Sequence, residues 1–276
     1  MAALNRLGIE MLSGLGLPPV ELVHLAADLG CAYISAGPMQ MPPQFNPLGY
    51  PQWSLKDDPA YARQLKAALT DRGVSISLGE GFAVRPGVAM RARGAEMDMM
   101  AELGTRGLGA VSMEPDTGRA RDELAVLAEM AGERGMLATI EFAPIQAVNT
   151  LAAALDMVRH VNRPNFGLLL DAMHFFRSGA MLDDLAAIDP ALIRYAQLCD
   201  TPAGGPGDDY MNEAMFARLA PGEGELPLAG FVAALPHDIP LGLEVPMRDW
   251  ALTGHGPLER LRPAVDAARK LLAAKG

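Results

Sequence analysis

The chain has 276 residues, half of them hydrophobic, which is enough for one large domain or two small ones. Its formal net charge of -10 at pH 7 leaves no basic surface for phosphates, which argues against nucleic acid as a partner. The same charge argues against binding to an anionic membrane surface.

The two cysteines, Cys31 and Cys199, lie in neither a CxxC motif nor a Cys/His cluster. A disulfide framework or a zinc knuckle is therefore not expected. The first residues lack the apolar segment of a secretory signal, and no apolar run is long enough to span a bilayer. We expect a cytoplasmic protein without a membrane partner.

Short apolar segments with strand character recur along the chain and alternate with longer amphipathic segments. The eight predicted strands are LGIEML near residue 7, CAYISAG near 31, VSISLGE near 74, LGAVSME near 108, MLATIEF near 136, FGLLLDA near 166, IRYAQLC near 193 and LGLEVP near 241. The intervening segments carry helix signals, such as Asp58-Pro59 at a start and Gly73 at an end. A closing helix is predicted over about 256–274.

Strands that alternate with helices indicate a parallel sheet, and eight of them in this length match a (β/α)8 TIM barrel. The alternative is an open doubly wound sheet, which would want a glycine-rich phosphate loop after the first strand. SGLGLPP stands there, but it completes neither GxGxxG nor GxxxxGK[ST]. We therefore predict a single TIM-barrel domain over 1–276.

Two connections are unusually long, at about 38–58 after the second strand and 201–227 after the seventh. Both follow the carboxyl end of a strand, which in a barrel is the active-site face. We expect these loops to cover a substrate. The aromatic residues Phe45, Tyr50 and Trp53 of the first loop could contact a ligand or simply anchor the loop.

Four polar residues stand toward the ends of the last four predicted strands. They are Glu141, Asp171, Gln197 and Glu244. One such residue could be a core polar group satisfied by a neighbour, but three converging carboxylates would repel one another in a buried site. A divalent cation removes that repulsion, and carboxylate and amide oxygens suit Mn²⁺ or Mg²⁺. We predict one divalent metal ion held by these four residues.

On these residues the chain resembles the xylose isomerase-like TIM-barrel superfamily. That group includes sugar isomerases and epimerases, dehydratases of inosose and dehydroshikimate, and the endonuclease IV fold. Two further motifs carry the resemblance: Asp171 followed three residues later by His174, and Gly-Glu-Gly at 222–224. The resemblance spans nearly the whole chain and is clearest from the fourth strand onward.

The resemblance implies the same four metal ligands, with Gln197 where many relatives have histidine. An all-oxygen set favours Mn²⁺ or Mg²⁺ over Zn²⁺, because imidazole suits zinc. It also implies that Glu141 and Glu244 act as catalytic acid and base around an enediolate, besides binding the metal. His174 would then bind a substrate oxygen, or else orient Asp171.

Two further residues are candidates for substrate binding. Glu114, at the end of the fourth strand, could reach the substrate or cap the next helix. Arg248, just past Glu244, could bind an anionic group or pair with an acid at the rim of the barrel. The roles of Glu80, Arg177 and Asp200 stay open.

The function that we expect is a metal-dependent isomerase or epimerase acting on a keto-sugar or related polyol. The alternative is a lyase of the inosose or dehydroshikimate dehydratase type, which would use the same metal site on a substrate such as a cyclic keto acid. A non-enzymatic barrel is disfavoured, because a scaffold has no need to gather carboxylates. Relatives are often oligomers, so a homo-oligomer is a further expectation.

Overall fold

The computed structural model describes residues 5–205 and 209–274. Eight parallel strands form a closed barrel in which neighbours in sequence pair and the last strand returns to the first. The strands are β1 Leu7–Ile9, β2 Tyr33–Ala36, β3 Ser75–Gly79, β4 Gly107–Ala110, β5 Leu137–Glu141, β6 Phe166–Asp171, β7 Ile193–Leu198 and β8 Leu241–Leu243. The predicted single-domain TIM barrel is confirmed, and the open sheet is excluded.

Helices follow the strands and surround the barrel. They are α1 Pro19–Asp28, α2 Pro59–Arg72, α3 Gly94–Glu102, α4 Thr117–Glu133, α5 Leu151–Val161, α6 Ala172–Arg177, α7 Leu182–Ala186, α8 Tyr210–Phe216, α9 Leu228–Ala234, α10 Arg248–Leu252 and α11 Pro257–Ala273. Short 3-10 helices lie at Met11–Gly14, Pro43–Phe45, Met90–Arg93 and Pro190–Leu192. None of the described helices is long and apolar enough to cross a membrane.

Local sequence signals explain where α2 begins and ends. The Asp58 side chain accepts hydrogen bonds from the backbone N–H groups of Ala60 and Tyr61, which satisfies donors that the first helical turn leaves free. Gly73 ends the helix with a φ of 64°, a left-handed conformation that glycine adopts without steric cost. The predicted start and stop of this helix are both observed.

Alternation along the strands decides which side chains face the inside of the barrel. On β6, Leu168 and Leu170 pack in the main core with the helices, whereas Leu169 packs in a separate buried cluster with Leu78 and Tyr195. Side chains two residues apart on a strand share a face. Asp171 therefore shares the inner face with Leu169, and Gln197 shares it with Tyr195.

The two long connections lie at the carboxyl end of the barrel. The connection after β2 contains the 3-10 helix Pro43–Phe45, and the one after β7 contains α8. The rings of Phe45 and Phe216 stack with their centroids 5.8 Å apart, which joins the two connections. Of the predicted loop 201–227, residues 206–208 lie outside the described part of the chain.

Asp200 organises the connection after β7. Its carboxylate accepts hydrogen bonds from the backbone N–H groups of Thr201, Gly222 and Leu226, at 2.9, 2.9 and 3.0 Å. A Cβ on Gly224 would stand 2.4 Å from the Asp200 carboxylate, so only glycine fits at that position. The Gly-Glu-Gly motif thus folds this connection around a buried aspartate.

Candidate active site

A cavity of about 550 Å³ opens at the carboxyl end of the barrel, between the two long connections. The polar and charged side chains that line it include Glu80, Glu141, His174, Gln197, Arg218 and Glu244. Asp171 is buried beside the cavity, and its carboxylate contacts Arg218, which lines the cavity. Four strand ends that are distant in sequence therefore meet at one cavity, because parallel strands end at the same edge.

The register of the strands places the site residues side by side. Asp171 on β6 is the partner of Gln197 on β7, and Gln197 is the partner of Gly242 on β8. Glu141 is the last residue of β5, and Glu244 follows β8 directly. The four residues predicted as metal ligands thus come from four consecutive strands.

Arg218 lies at the centre of the site and was not predicted from the sequence. Its side chain is 2% exposed, and the guanidinium bridges two acids, with Nη1 2.5 Å from Asp171 Oδ2 and Nη2 2.8 Å from Glu244 Oε2. Its Nε donates to the carbonyl oxygen of Ala214 at 2.7 Å. A side-chain cation therefore contacts two of the acids for which the sequence predicts a metal ion.

Burial and charge set the pKa values of these acids. Burial raises the pKa of Glu244 to about 8, although the Arg218 guanidinium opposes the shift. Burial raises the pKa of Glu141 well above its usual range, and the charges of Glu244 and Asp171 add to the effect. Burial opposes the ionisation of Asp171, yet Arg218 and His174 lower its pKa. The protonation of Glu141, Asp171 and Glu244 therefore depends on the charges of one another and on that of Arg218.

Asp171 also positions His174. One carboxylate oxygen accepts the His174 backbone N–H at 2.8 Å and so caps the start of α6. The imidazole Nδ1 lies 2.5 Å from the Tyr210 hydroxyl, and Nε2 lies 3.6 Å from Glu141 Oε1. Burial lowers the pKa of His174 to about 4, so the ring is neutral at pH 7 and has one donor and one acceptor nitrogen.

One side-chain oxygen in the site has the character of a cation ligand. Gln197 Oε1 is buried without a hydrogen-bond partner, and Nε2 of the same amide lies 3.4 Å from Glu244 Oε1. Leaving a buried acceptor unsatisfied costs about 1–3 kcal/mol, which coordination to a cation would remove. Arg218 contacts one oxygen each of Asp171 and Glu244. The other oxygen of Asp171 accepts the His174 backbone N–H, and the other oxygen of Glu244 is the one that faces Gln197 Nε2.

A further group of acids lies next to this set. Carboxylate oxygens of Glu10, Glu80 and Glu244 come within 4.8 Å of one another, an arrangement that could hold a metal ion. Glu10 follows β1 and is fully buried, and Tyr195 donates its hydroxyl hydrogen to Glu10 Oε1 at 2.6 Å. Glu10 was not predicted from the sequence, although it directly follows an apolar strand much as Glu141 ends one.

Gly242 makes room for Glu10, because a Cβ there would lie 1.5 Å from Glu10 Oε1. We expect Gly242→Ala to displace Glu10 and to lower the free energy of unfolding by about 1–3 kcal/mol, measured by urea denaturation. Gly256→Ala is the control, because a Cβ at Gly256 meets nothing within 4 Å. Equal stability of the two variants would show that Glu10 does not pack against β8.

Glu114 and Arg248 do not line the cavity among the residues that the structure describes. Glu114 pairs with Arg119 at 2.7 Å and accepts the backbone N–H of Asp116. Arg248 lies 4.4 Å from the centre of the Phe216 ring and donates to Asn212 Oδ1 at 3.0 Å. These contacts organise the start of α4 and the rim of the barrel, so substrate binding by either residue stays a prediction.

Comparison with known proteins places the chain among TIM barrels of one family. The family model described as xylose isomerase-like TIM barrel matches residues 23–273. A 3-dehydroshikimate dehydratase of Pseudomonas aeruginosa is 30% identical over 199 residues, which cover 66% of this chain and 31% of that protein. An inosose isomerase of Bacillus licheniformis is 33% identical over 117 residues, which cover 41% of this chain and 40% of that protein. The matched region thus spans about a third of the dehydratase.

A solved structure has the same fold over its whole length. The crystal structure of an IolI protein with a bound zinc atom superposes with a TM-score of 0.77 at 19% sequence identity. The superposition covers 98% of this chain and 99% of the other. At 19% sequence identity, this similarity shows a shared fold and nothing about function.

Proposed function

Because the chain belongs to the xylose isomerase-like TIM-barrel family, we propose that it is a divalent-metal-dependent isomerase or epimerase of a keto-sugar or related polyol. The observation that carries the proposal is the convergence of Glu141, Gln197 and Glu244 on one cavity that a neutral His174 also lines. Such a set offers cation ligands and proton-transfer groups within one small-molecule site.

The residues that would hold the ion are Glu141, Asp171, Gln197 and Glu244. When bound, a divalent cation would supply Lewis acidity that stabilises the negative charge of an enediolate. The donors are all oxygens, which favours Mn²⁺ or Mg²⁺ over Zn²⁺.

Glu141 and Glu244 are the proposed acid and base. Burial raises the pKa of both carboxyl groups, that of Glu244 to about 8. Carboxyl groups positioned beside a reacting carbon can serve as general acid and base. One of them removes a proton from the carbon next to the carbonyl, and the other returns a proton to the product. The neutral imidazole of His174, 3.6 Å from Glu141, would hydrogen-bond to a substrate oxygen.

A lyase is the second candidate, and the dehydratase relatives are the observation behind it. The dehydratase match covers 66% of the chain, against 41% for the isomerase match. The same proton removal would then expel a group from the β-carbon and form a carbon–carbon double bond conjugated with the carbonyl.

One experiment separates these outcomes. Candidate keto-sugars and cyclic keto acids are incubated with protein and Mn²⁺ in D₂O and followed by NMR and ultraviolet absorbance. Deuterium next to the carbonyl without a new absorbance band indicates the isomerase, and an enone band indicates the lyase. Neither signal across both substrate classes would overturn the proposed proton abstraction.

The ligand role of Gln197 gives a separate prediction. We expect Gln197→His to keep the fold and to shift metal preference from Mn²⁺ toward Zn²⁺ or Co²⁺, because imidazole suits these ions. Competition between Mn²⁺ and Zn²⁺ for the metal-free protein measures the shift. Gln64→His on the exposed face of α2 serves as the control. An unchanged preference would remove Gln197 from the set of ligands.

A further inference from the structure

Glu10 and Glu80 form a carboxylate pair that the proposed reaction does not use. Oxygens of Glu10, Glu80 and Glu244 lie within 4.8 Å of one another, on residues at or just past the ends of β1, β3 and β8. The proposed ligands come from β5 to β8, so this group occupies the other half of the barrel mouth. Glu244 belongs to both groups.

Within the described ranges 5–205 and 209–274, no side-chain cation pairs with Glu10 or Glu80. The guanidinium of Arg218 contacts Asp171 and Glu244 Oε2 instead. Hydroxyl groups contact them instead, since Tyr195 donates to Glu10 and Ser35 donates to Glu80. Hydroxyl donors stabilise a carboxylate but supply no positive charge, and burial together with the charges of Glu10 and Glu244 raises the pKa of Glu80 well above its usual range.

Two buried oxygens, one in the group and one next to it, lack a hydrogen-bond partner among the residues that the structure describes. Glu10 Oε2 and Gln197 Oε1 have no hydrogen bond, although Glu10 is 0% and Gln197 is 2% exposed. The Gln197 amide lies beside the acids, because its Nε2 is 3.4 Å from Glu244 Oε1. A half-turn of the amide exchanges its nitrogen and oxygen, so the oxygen can face the Glu244 carboxylate instead.

We propose that Glu10, Glu80 and Glu244 bind a second divalent cation, with Gln197 Oε1 as a further oxygen donor. Carboxylate and amide oxygens without nitrogen or sulfur select a hard ion, Mg²⁺ or Mn²⁺. Glu244 bridges this ion and the one at Asp171. The proposal goes beyond the proposed function, which needs a single ion.

The test counts Mn²⁺ bound per chain after metal-free protein is saturated and free metal is removed. We expect two ions for the parent protein and one each for Glu80→Gln and Asp171→Asn. Glutamine keeps the shape of Glu80 and an oxygen that accepts from Ser35, so Glu80→Gln removes charge with little loss of packing. Glu129→Gln, at a surface ion pair, is the control and should bind two ions.

The outcomes distinguish the two sites. A single ion that Asp171→Asn loses and Glu80→Gln keeps would overturn the second site and leave the proposed function standing. A single ion that Glu80→Gln loses and Asp171→Asn keeps would support the site at Glu10 and overturn the ligand set of the proposed function. A parent protein that binds no Mn²⁺ would overturn both.

A second measurement does not depend on any variant. Anomalous difference density from Mn²⁺ in crystals of the parent protein should show a peak among the oxygens of Glu10, Glu80 and Glu244. A peak at Asp171 with none at Glu10, at saturating Mn²⁺, would overturn the second site.

Discussion

The variant Glu141→Gln should exchange deuterium next to the substrate carbonyl about 10²–10⁴ times more slowly than the parent protein. Glutamine keeps the size of the side chain and one oxygen donor, but it cannot accept or return a proton. Glu141 lines the cavity 3.6 Å from His174 Nε2, which places it beside any ligand that contacts the imidazole. NMR measures the rate in D₂O, on a substrate that the parent protein exchanges.

Bound Mn²⁺ is measured on the same samples, so that a lost ion is distinguished from a lost base. Glu129→Gln, which removes one carboxylate from a surface ion pair, is expected to exchange at the parent rate. A Glu141→Gln variant that keeps its metal and loses less than about tenfold in rate would exclude Glu141 as a proton-transfer group.

Replacement of Arg218 should have the largest effect on stability. Arg218→Met leaves Asp171 and Glu244 buried without their guanidinium, which costs about 3–5 kcal/mol when one partner of a buried ion pair is removed. Urea denaturation in the presence of a chelator measures the loss. If a cation binds to the same acids, saturating Mn²⁺ should stabilise Arg218→Met more than it stabilises the parent protein.

Arg163→Met is the matched control, because Arg163 pairs with Glu129 while 42% exposed. Exposed ion pairs contribute about 0–1 kcal/mol, so this variant should remain close to the parent protein in stability. Equal stability of Arg218→Met and Arg163→Met would mean that Arg218 is not the counter-ion of the buried acids.

The fold was predictable because its signals are local. Strand and helix segments alternate eight times, and caps such as Asp58 and stops such as Gly73 act within a few residues. The polar ends of the later strands were predictable for the same reason, since an acid after an apolar strand stands out in the sequence. Once the barrel closes, these strand ends lie at the same end of the barrel and therefore close together.

The charge balance of the site was not predictable in this way. Along the sequence, Arg218 lies in a long connection and far from any strand end. The residues next to it in the sequence give no sign that it is buried. Glu10 carried the same local signal as Glu141, but only the closed barrel places it beside Glu80 and Glu244. Glu114 and Arg248 carried a similar signal, yet tertiary contacts direct them to Arg119 and to Phe216.

The sequence by itself determined the eight-stranded barrel and the polar residues that end its last four strands. Both follow from residue periodicity and from the common direction of parallel strands. Only the tertiary structure decided which acids share a cavity, which two of them pair with Arg218, and which two form no ion pair with any described side chain. These contacts join side chains that are far apart in the sequence. Because the side chains are buried, small changes in the distances between their charges cause large changes in electrostatic energy.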